Sequence, residues 1–169
     1  MKFRRYSDNS FSAATSSPEE TFSLGETLGE NICPGLLLLL KGTLGMGKTK
    51  FTQGIGAALG AFGVKSPTFV IMREYDVGTP LLHVDLYRID DEAEIESLGI
   101  EEYLEEGFAA AVEWAEKWKN PPDECRIDVE FAGNGENRLL TFTLRGEEAR
   151  GTFEALAENI EKGSQTEEF

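Results

Sequence analysis

The eight residues Gly42-Thr43-Leu44-Gly45-Met46-Gly47-Lys48-Thr49 constrain this chain more than any other stretch, because three glycines in six positions suit neither a strand nor a helix interior. Ahead of them, 36–40 is an unbroken run of leucine, short, apolar on both faces and preceded by Pro34-Gly35, which is the pattern of a strand buried inside a sheet. Behind them, 48–59 reads as a helix in spite of Gly54 and Gly56, and Gly60 and Gly63 end it. Strand, glycine loop and helix in this order, with the spacing Gly-x-x-x-x-Gly-Lys-Thr, make a P-loop. Glycines there let successive backbone N–H groups turn inward around phosphate oxygens, and the helix N-terminus adds partial positive charge. Lys48, expected as an exposed loop lysine, has the reach for β- and γ-phosphates, and the Thr49 hydroxyl suits a Mg²⁺ that keeps several waters. Thr43, Leu44, Gly45, Met46, Gly47, Lys48 and Thr49 are therefore the expected contacts for ATP and Mg²⁺. The fold class that follows is α/β, a P-loop NTPase-like three-layer arrangement with a central mixed, mainly parallel sheet flanked by helices.

The rest of the chain fits around that unit. Residues 1–16, rich in serine and poor in large aliphatics, read as a poorly ordered lead-in or an irregular edge element. Ser17-Pro18-Glu19-Glu20 has an N-cap serine, proline at the first helical position and acids in the first turn, and predicts a helix to about residue 32. Runs 69–75 and 81–87 read as a β-hairpin, 91–106 as an acidic helical stretch and 108–112 as a second core strand. Runs 126–131 and 138–144 form a closing hairpin around Gly133-Asn134-Gly135, before a helix over 151–162. One P-loop ATPase domain over 17–162, followed by a frayed acidic tail at 163–169, is the expected organisation.

Several side chains outside the loop are candidates for chemistry. Asp85 ends a strand with one apolar face and suits a Walker-B-like acid, although an aspartate there is equally well an ordinary exposed carboxylate. Thr68, on the connection after the P-loop helix, stands where switch loops offer a hydroxyl to metal or γ-phosphate; taken alone it reads more readily as a simple turn-to-strand entry. Glu113 follows an apolar strand and has the position from which a carboxylate meets Mg²⁺ or orients water. Trp114 beside it suits stacking or plain packing. His83, the one histidine, reads as a hydrogen-bonded structural residue rather than a base.

The formal net charge of −15 sets the molecule as a whole against nucleic-acid phosphates. No apolar run is long enough to cross a bilayer, and no apolar signal core follows the basic N-terminus, so a cytoplasmic protein with no membrane attachment is expected. Cys33 and Cys125 lie far apart in the sequence without a CxxC spacing and read as two reduced thiols.

Taken together, the P-loop, Lys65-Ser66-Pro67-Thr68-Phe69, His83-Val84-Asp85-Leu86-Tyr87-Arg88, Leu98-Gly99-Ile100 and Val112-Glu113-Trp114 resemble the TsaE (YjeE) family, the ATPase component of bacterial threonylcarbamoyladenosine tRNA modification. The resemblance spans roughly residues 17–138. It implies that Thr49 and Glu113 hold Mg²⁺ with Asp85 as the essential Walker-B-like acid near the metal, that Thr68 lies in a switch-like loop, and that Trp114 sits near the nucleotide. It further implies nucleotide contacts near the first helix start, here Glu19, and at an arginine of the last hairpin, here Arg138. Asp85, Thr68 and Lys48 become the catalytic candidates. The implied activity is weak ATP hydrolysis in support of TsaD and TsaB proteins, with tRNA met only through that complex. The chain departs from the family pattern at Thr43, where aspartate usually follows the first P-loop glycine. That bears on the tuning of hydrolysis, since phosphate binding rests on backbone amides and Lys48. The alternatives from the residues alone are a small-molecule kinase, which the acidic stretch between Asp85 and Glu113 serves poorly for want of an arginine-rich lid, and a nucleotide-gated binding module.

Overall fold

The computed structural model describes residues 1–164. In chain order the elements are β1 (Lys2–Ser7), β2 (Ser10–Thr15), α1 (Pro18–Gly29), β3 (Leu37–Lys41), α2 (Lys48–Leu59), β4 (Met72–Tyr75), β5 (Leu81–Asp85), α3 (Glu92–Ser97), α4 (Ile100–Glu105), β6 (Ala109–Glu113), β7 (Arg126–Asn134), β8 (Asn137–Leu144) and α5 (Arg150–Gly163). The strands form one sheet in the order β1-β2-β8-β7-β3-β6-β5-β4. Its four middle strands, β7, β3, β6 and β5, run parallel, and the pairings outside them are antiparallel. This is the mixed sheet that the sequence predicts, parallel through its central four strands, with the antiparallel pairings at its two sides more numerous than expected.

The leucine run shows why both faces are covered. Successive strand residues point to opposite faces, so Leu36, Leu38 and Leu40 enter one core with Leu24 and Leu28 of α1, Phe51 and Ile55 of α2 and Phe153 and Leu156 of α5. Leu37 and Leu39 enter a second core with Ile95, Ile100 and Trp118. Three layers result, and the P-loop emerges from the C-terminal end of the middle strand.

The first helix begins as its sequence requires: the Ser17 hydroxyl accepts a hydrogen bond from the Glu20 N–H at 3.2 Å, and Pro18 opens the first turn. Glycines in α1 and α2, neutral or unfavourable by helix propensity, serve packing instead. A Cβ on Gly25 would lie 2.1 Å from the Phe51 carbonyl oxygen, and one on Gly54 would lie 2.0 Å from that of Phe22. The two helices cross with backbones nearly touching, which fixes where α2, and with it the P-loop, sits. Gly54→Ala is accordingly expected to lower stability by roughly 2–3 kcal/mol, at the upper part of the overpacking range, as read by urea denaturation; an unchanged midpoint would mean that this crossing relaxes freely.

Three expectations need correction. Residues 1–16 are not a poorly ordered lead-in but an edge element, and a regular one: β1 and β2 form a hairpin that extends the sheet antiparallel to β8. Their apolar content is small but well placed. Phe11 and Ala13 are fully buried, Phe11 stacks on Phe142 with ring centroids 4.9 Å apart, and buried Ser12 shares a hydroxyl hydrogen bond of 2.9 Å with Thr141. The stretch 91–106 is two short helices rather than one, separated at Gly99, whose φ of +72° is a left-handed conformation that ends α3. The first strand of the hairpin begins at Met72, because 67–71 is taken up by a turn in which the Pro67 carbonyl accepts from the N–H groups of Val70 and Ile71. At the C-terminus α5 extends through Gly163. The remainder of the expected frayed tail, 165–169, lies outside the described residues.

Candidate functional site

The parallel register gathers the candidate acids. Asp85 and Glu113 are direct partners at the C-terminal ends of β5 and β6, and Glu113 is also the partner of Leu40 at the end of β3. Three strand ends thus meet where the P-loop begins, at the carboxyl edge where open α/β sheets bind ligands. Left-handed φ values at Gly42, Gly45 and Gly47, of +142°, +79° and +96°, fold the loop back over this edge. A Cβ on Gly42 would lie 2.6 Å from the Phe131 carbonyl oxygen of β7, so the loop's first position is closed to any side chain.

Lys48, expected to be exposed, is only 5% exposed. Its ammonium donates to the carbonyl oxygens of Gly42 at 2.6 Å and Thr43 at 2.9 Å and lies 4.8 Å from the centre of the Trp114 ring. Burial pulls its pKa below the ordinary lysine range, while Glu113, Glu116 and Asp85 act in the opposite direction. A desolvated cation without a carboxylate in hydrogen-bond contact suits an anionic ligand.

The Thr49 hydroxyl donates to both oxygens of Glu113, at 3.0 and 3.2 Å. His83 closes the other side of that carboxylate, with Nε2 2.5 Å from Glu113 Oε2. Both side chains are almost wholly removed from water, and His83 Nδ1 has no hydrogen-bond partner among the described residues. His83, read from the sequence as structural, therefore abuts a candidate metal ligand. Only the parallel pairing of β5 with β6 brings the two together, since the histidine's register partner is Ala111.

Asp85 is held separately. Its Oδ2 accepts from the Thr68 hydroxyl at 2.9 Å and its Oδ1 from the Tyr87 N–H at 2.9 Å, while its own N–H donates to the Ile71 carbonyl at 2.8 Å. Thr68 and Ser66 share a further hydroxyl hydrogen bond of 2.7 Å. The loop carrying Thr68 is thus tied to the sheet edge through one aspartate. Among the described residues, Ile71 and Trp114 are the non-glycine residues with positive φ, at +68° and +58°. Such strain is of order 1–3 kcal/mol each and collects at functional sites; here it flanks the acids on both sides. At Trp114 it turns the ring over Lys48 and against Tyr87, 5.0 Å away between centroids.

Lys48, Thr49, Thr68, Asp85, Glu113 and Trp114 line a cavity of about 560 Å³ that also takes in Pro18, Thr21, Glu136 and Arg138. Arg138 donates to the Gly45 carbonyl at 2.9 Å, joining the last hairpin to the P-loop. Of the remaining candidates, Leu44, Gly45, Met46 and Gly47 line the cavity. Thr43 is exposed and meets Lys48 through its carbonyl alone. Glu19 is also exposed and does not line the cavity; one helical turn places Pro18 and Thr21 there instead. Among the described residues no cluster of three or more His, Cys, Asp or Glu side chains could hold a metal by itself. A hydroxyl beside one carboxylate, with a second acid on the next strand, fits a hard cation that draws its other ligands from phosphate and water.

Comparison with known proteins agrees with this fold. The family model described as "Threonylcarbamoyl adenosine biosynthesis protein TsaE" matches residues 15–140. The chain is 39% identical over 152 residues to the tRNA threonylcarbamoyladenosine biosynthesis protein TsaE of Bacillus subtilis, covering 88% of this chain and 92% of that one. It is 36% identical over 138 residues to the protein of the same name from Mycobacterium tuberculosis, covering 74% and 82%. Among solved structures, Bacillus subtilis YdiB superposes with a TM-score of 0.68 at 33% identity, over 89% of this chain and 96% of that one.

Proposed function

From a chain that belongs to the TsaE family of tRNA threonylcarbamoyladenosine biosynthesis, we propose a Mg²⁺-dependent ATP-binding protein that hydrolyses ATP slowly and supports a TsaD–TsaB pair in that modification. The observation that carries the reading is the contact of the Thr49 hydroxyl with Glu113 at 3.0 Å, directly behind a P-loop whose lysine is desolvated. Bound ATP supplies the phosphoryl group, and Mg²⁺ neutralises its charge. Lys48 and the P-loop amides bind the phosphates. Thr49 and Glu113 hold the cation, with His83 keeping the Glu113 carboxylate turned toward Thr49 through its Nε2 contact. Asp85 holds Thr68, and with it the loop from Ser66 to Ile71, against the sheet edge. The Trp114 ring covers Lys48 and keeps water from it, and Tyr87 packs against that ring.

The partner half of the proposal draws on the surface around the cavity. Leu44, Phe69, Val70 and Tyr87 are 80, 88, 51 and 52% exposed, an apolar content that a free surface rarely gathers beside a charged cavity. The net charge of −15 disfavours direct contact with tRNA. Phosphate release from ATP should therefore rise when a TsaD–TsaB pair is added, Phe69→Asp should suppress that rise without changing the rate of the protein alone, and a mobility-shift assay should detect no tRNA binding by this chain at physiological salt. Tight tRNA binding by the isolated chain, or no response to the pair, would refute the accessory role; transfer of the phosphoryl group to a small acceptor would instead establish a kinase.

A further inference from the structure

Far from the P-loop, at the opposite end of β3, the fold joins two residues that the sequence separates. Cys33, on the connection between α1 and β3, and Cys125, just before β7, lie 92 residues apart in sequence with their sulfurs at 3.7 Å. Both are free thiols and only half-buried. Backbone hydrogen bonds fix the two segments to the same strand start: the Leu36 N–H donates to the Cys33 carbonyl at 3.3 Å, and the Leu37 N–H donates to the Cys125 carbonyl at 2.9 Å. The thiols are therefore held against one another by the sheet itself. We propose that Cys33 and Cys125 form a redox-modification site, converted to an intramolecular disulfide by a small peroxide and reopened by a dithiol.

The hydrogen bond between the sulfurs stabilises a thiolate on one of them through a proton held by the other. A hydrogen bond from the Cys125 thiol, helped by the Thr152 hydroxyl, draws the Cys33 pKa down to about 6, against the opposing effects of burial and Glu148. The same hydrogen bond and burial push Cys125 up, so it keeps its proton. Cys33 is the thiolate, and the thiolate is the nucleophile. It attacks one peroxide oxygen, the O–O bond breaks, and the departing oxygen leaves as water after taking up a proton, giving a sulfenic acid on Cys33. The Cys125 sulfur then attacks the Cys33 sulfur, the S–O bond breaks, and the hydroxide leaves as water with the proton lost by Cys125. In sum, two thiols and one hydrogen peroxide give one disulfide and two waters. The sulfurs must approach by a further ~1.7 Å to reach bonding distance, a movement open to two connecting segments at the sheet's end.

A bridge between these positions closes a long loop and constrains the unfolded chain strongly. It ties the connection leading into β3 to the one leading into β7 and leaves the opposite end of the sheet, where the P-loop lies, untouched. Oxidation of the pair is thus independent of nucleotide binding.

The test treats the purified full chain with hydrogen peroxide at micromolar concentration, followed by intact-mass measurement, non-reducing peptide mapping and thermal melting. The expected results are a loss of two hydrogens, a peptide pair cross-linked through Cys33 and Cys125, and a rise in Tm on the order of 5–10 °C that dithiothreitol reverses. Cys33→Ser and Cys125→Ser should each abolish the cross-link and the rise, and Cys33→Ala provides a second variant should the serine disturb folding. Stable oxygen adducts without a cross-link, disulfides between molecules alone, or a cross-link that leaves Tm unchanged or lowers it would overturn the proposal.

Discussion

Replacing Lys48 by alanine is expected to weaken ATP binding by about 10²–10³-fold, the effect of losing charge-assisted hydrogen bonds of roughly 1.5–3 kcal/mol each to two phosphates. The lysine's own environment makes the loss specific. Its ammonium is buried against two P-loop carbonyls and an indole face, with no carboxylate in hydrogen-bond contact, so no buried anion is left unpaired when it is removed. The released carbonyls of Gly42 and Thr43 belong to a loop that water reaches. Titration calorimetry with ATP and Mg²⁺ measures the affinity, and a melting curve within a few degrees of the parent shows that the fold is kept. An unchanged affinity would remove ATP from the cavity altogether.

The second large effect is expected at the paired strand ends. Glu113→Ala should lower Mg²⁺-dependent hydrolysis by roughly 10²–10³-fold while changing ATP affinity in the presence of a chelator far less, because charge placed at the metal matters most in the transition state. Asp85→Ala should behave in the same direction for a different reason. It frees Thr68 and the turn behind it, and the residue it removes contacts neither Thr49 nor Lys48 by hydrogen bond. The two variants are separable by their metal dependence: the Mg²⁺ concentration for half-maximal activity should rise for Glu113→Ala and stay near that of the parent for Asp85→Ala. His83→Leu should follow Glu113→Ala in weaker form, since it leaves the carboxylate present but unheld. Single-turnover phosphate release across a Mg²⁺ series checks all three, and parental rates in the Glu113 and Asp85 variants would make these acids structural.

Legibility in the sequence followed the range of the interactions. The leucine run, the glycine loop and the serine-capped helix are local patterns: alternation, φ permissiveness and capping act within a few residues, and each appears in the structure where the sequence predicts it. The N-terminal hairpin was not legible, because Phe11 and Ala13 become core only when β8 supplies Phe142 and Thr141 beside them. The turn at Gly99 carries a local signal, a glycine inside an acidic helical run, that outweighs the helix propensity around it. Glu19 lies on the exposed side of the first turn of α1, while Pro18 and Thr21 of the same turn line the cavity, a choice of face that only the packed helix fixes.

The sequence by itself determined that the chain holds a P-loop on a buried strand, and that Asp85 and Glu113 each end an apolar strand. Only the tertiary structure decided that those two strands are neighbours in parallel register, that Glu113 meets Thr49 across 64 residues and His83 across 30, and that Cys33 faces Cys125. Strand order and register are settled by how two helical layers pack on the sheet, including a helix crossing that no residue larger than glycine permits at Gly25 and Gly54. That packing energy is a property of surfaces assembled from distant segments, and no single segment carries it.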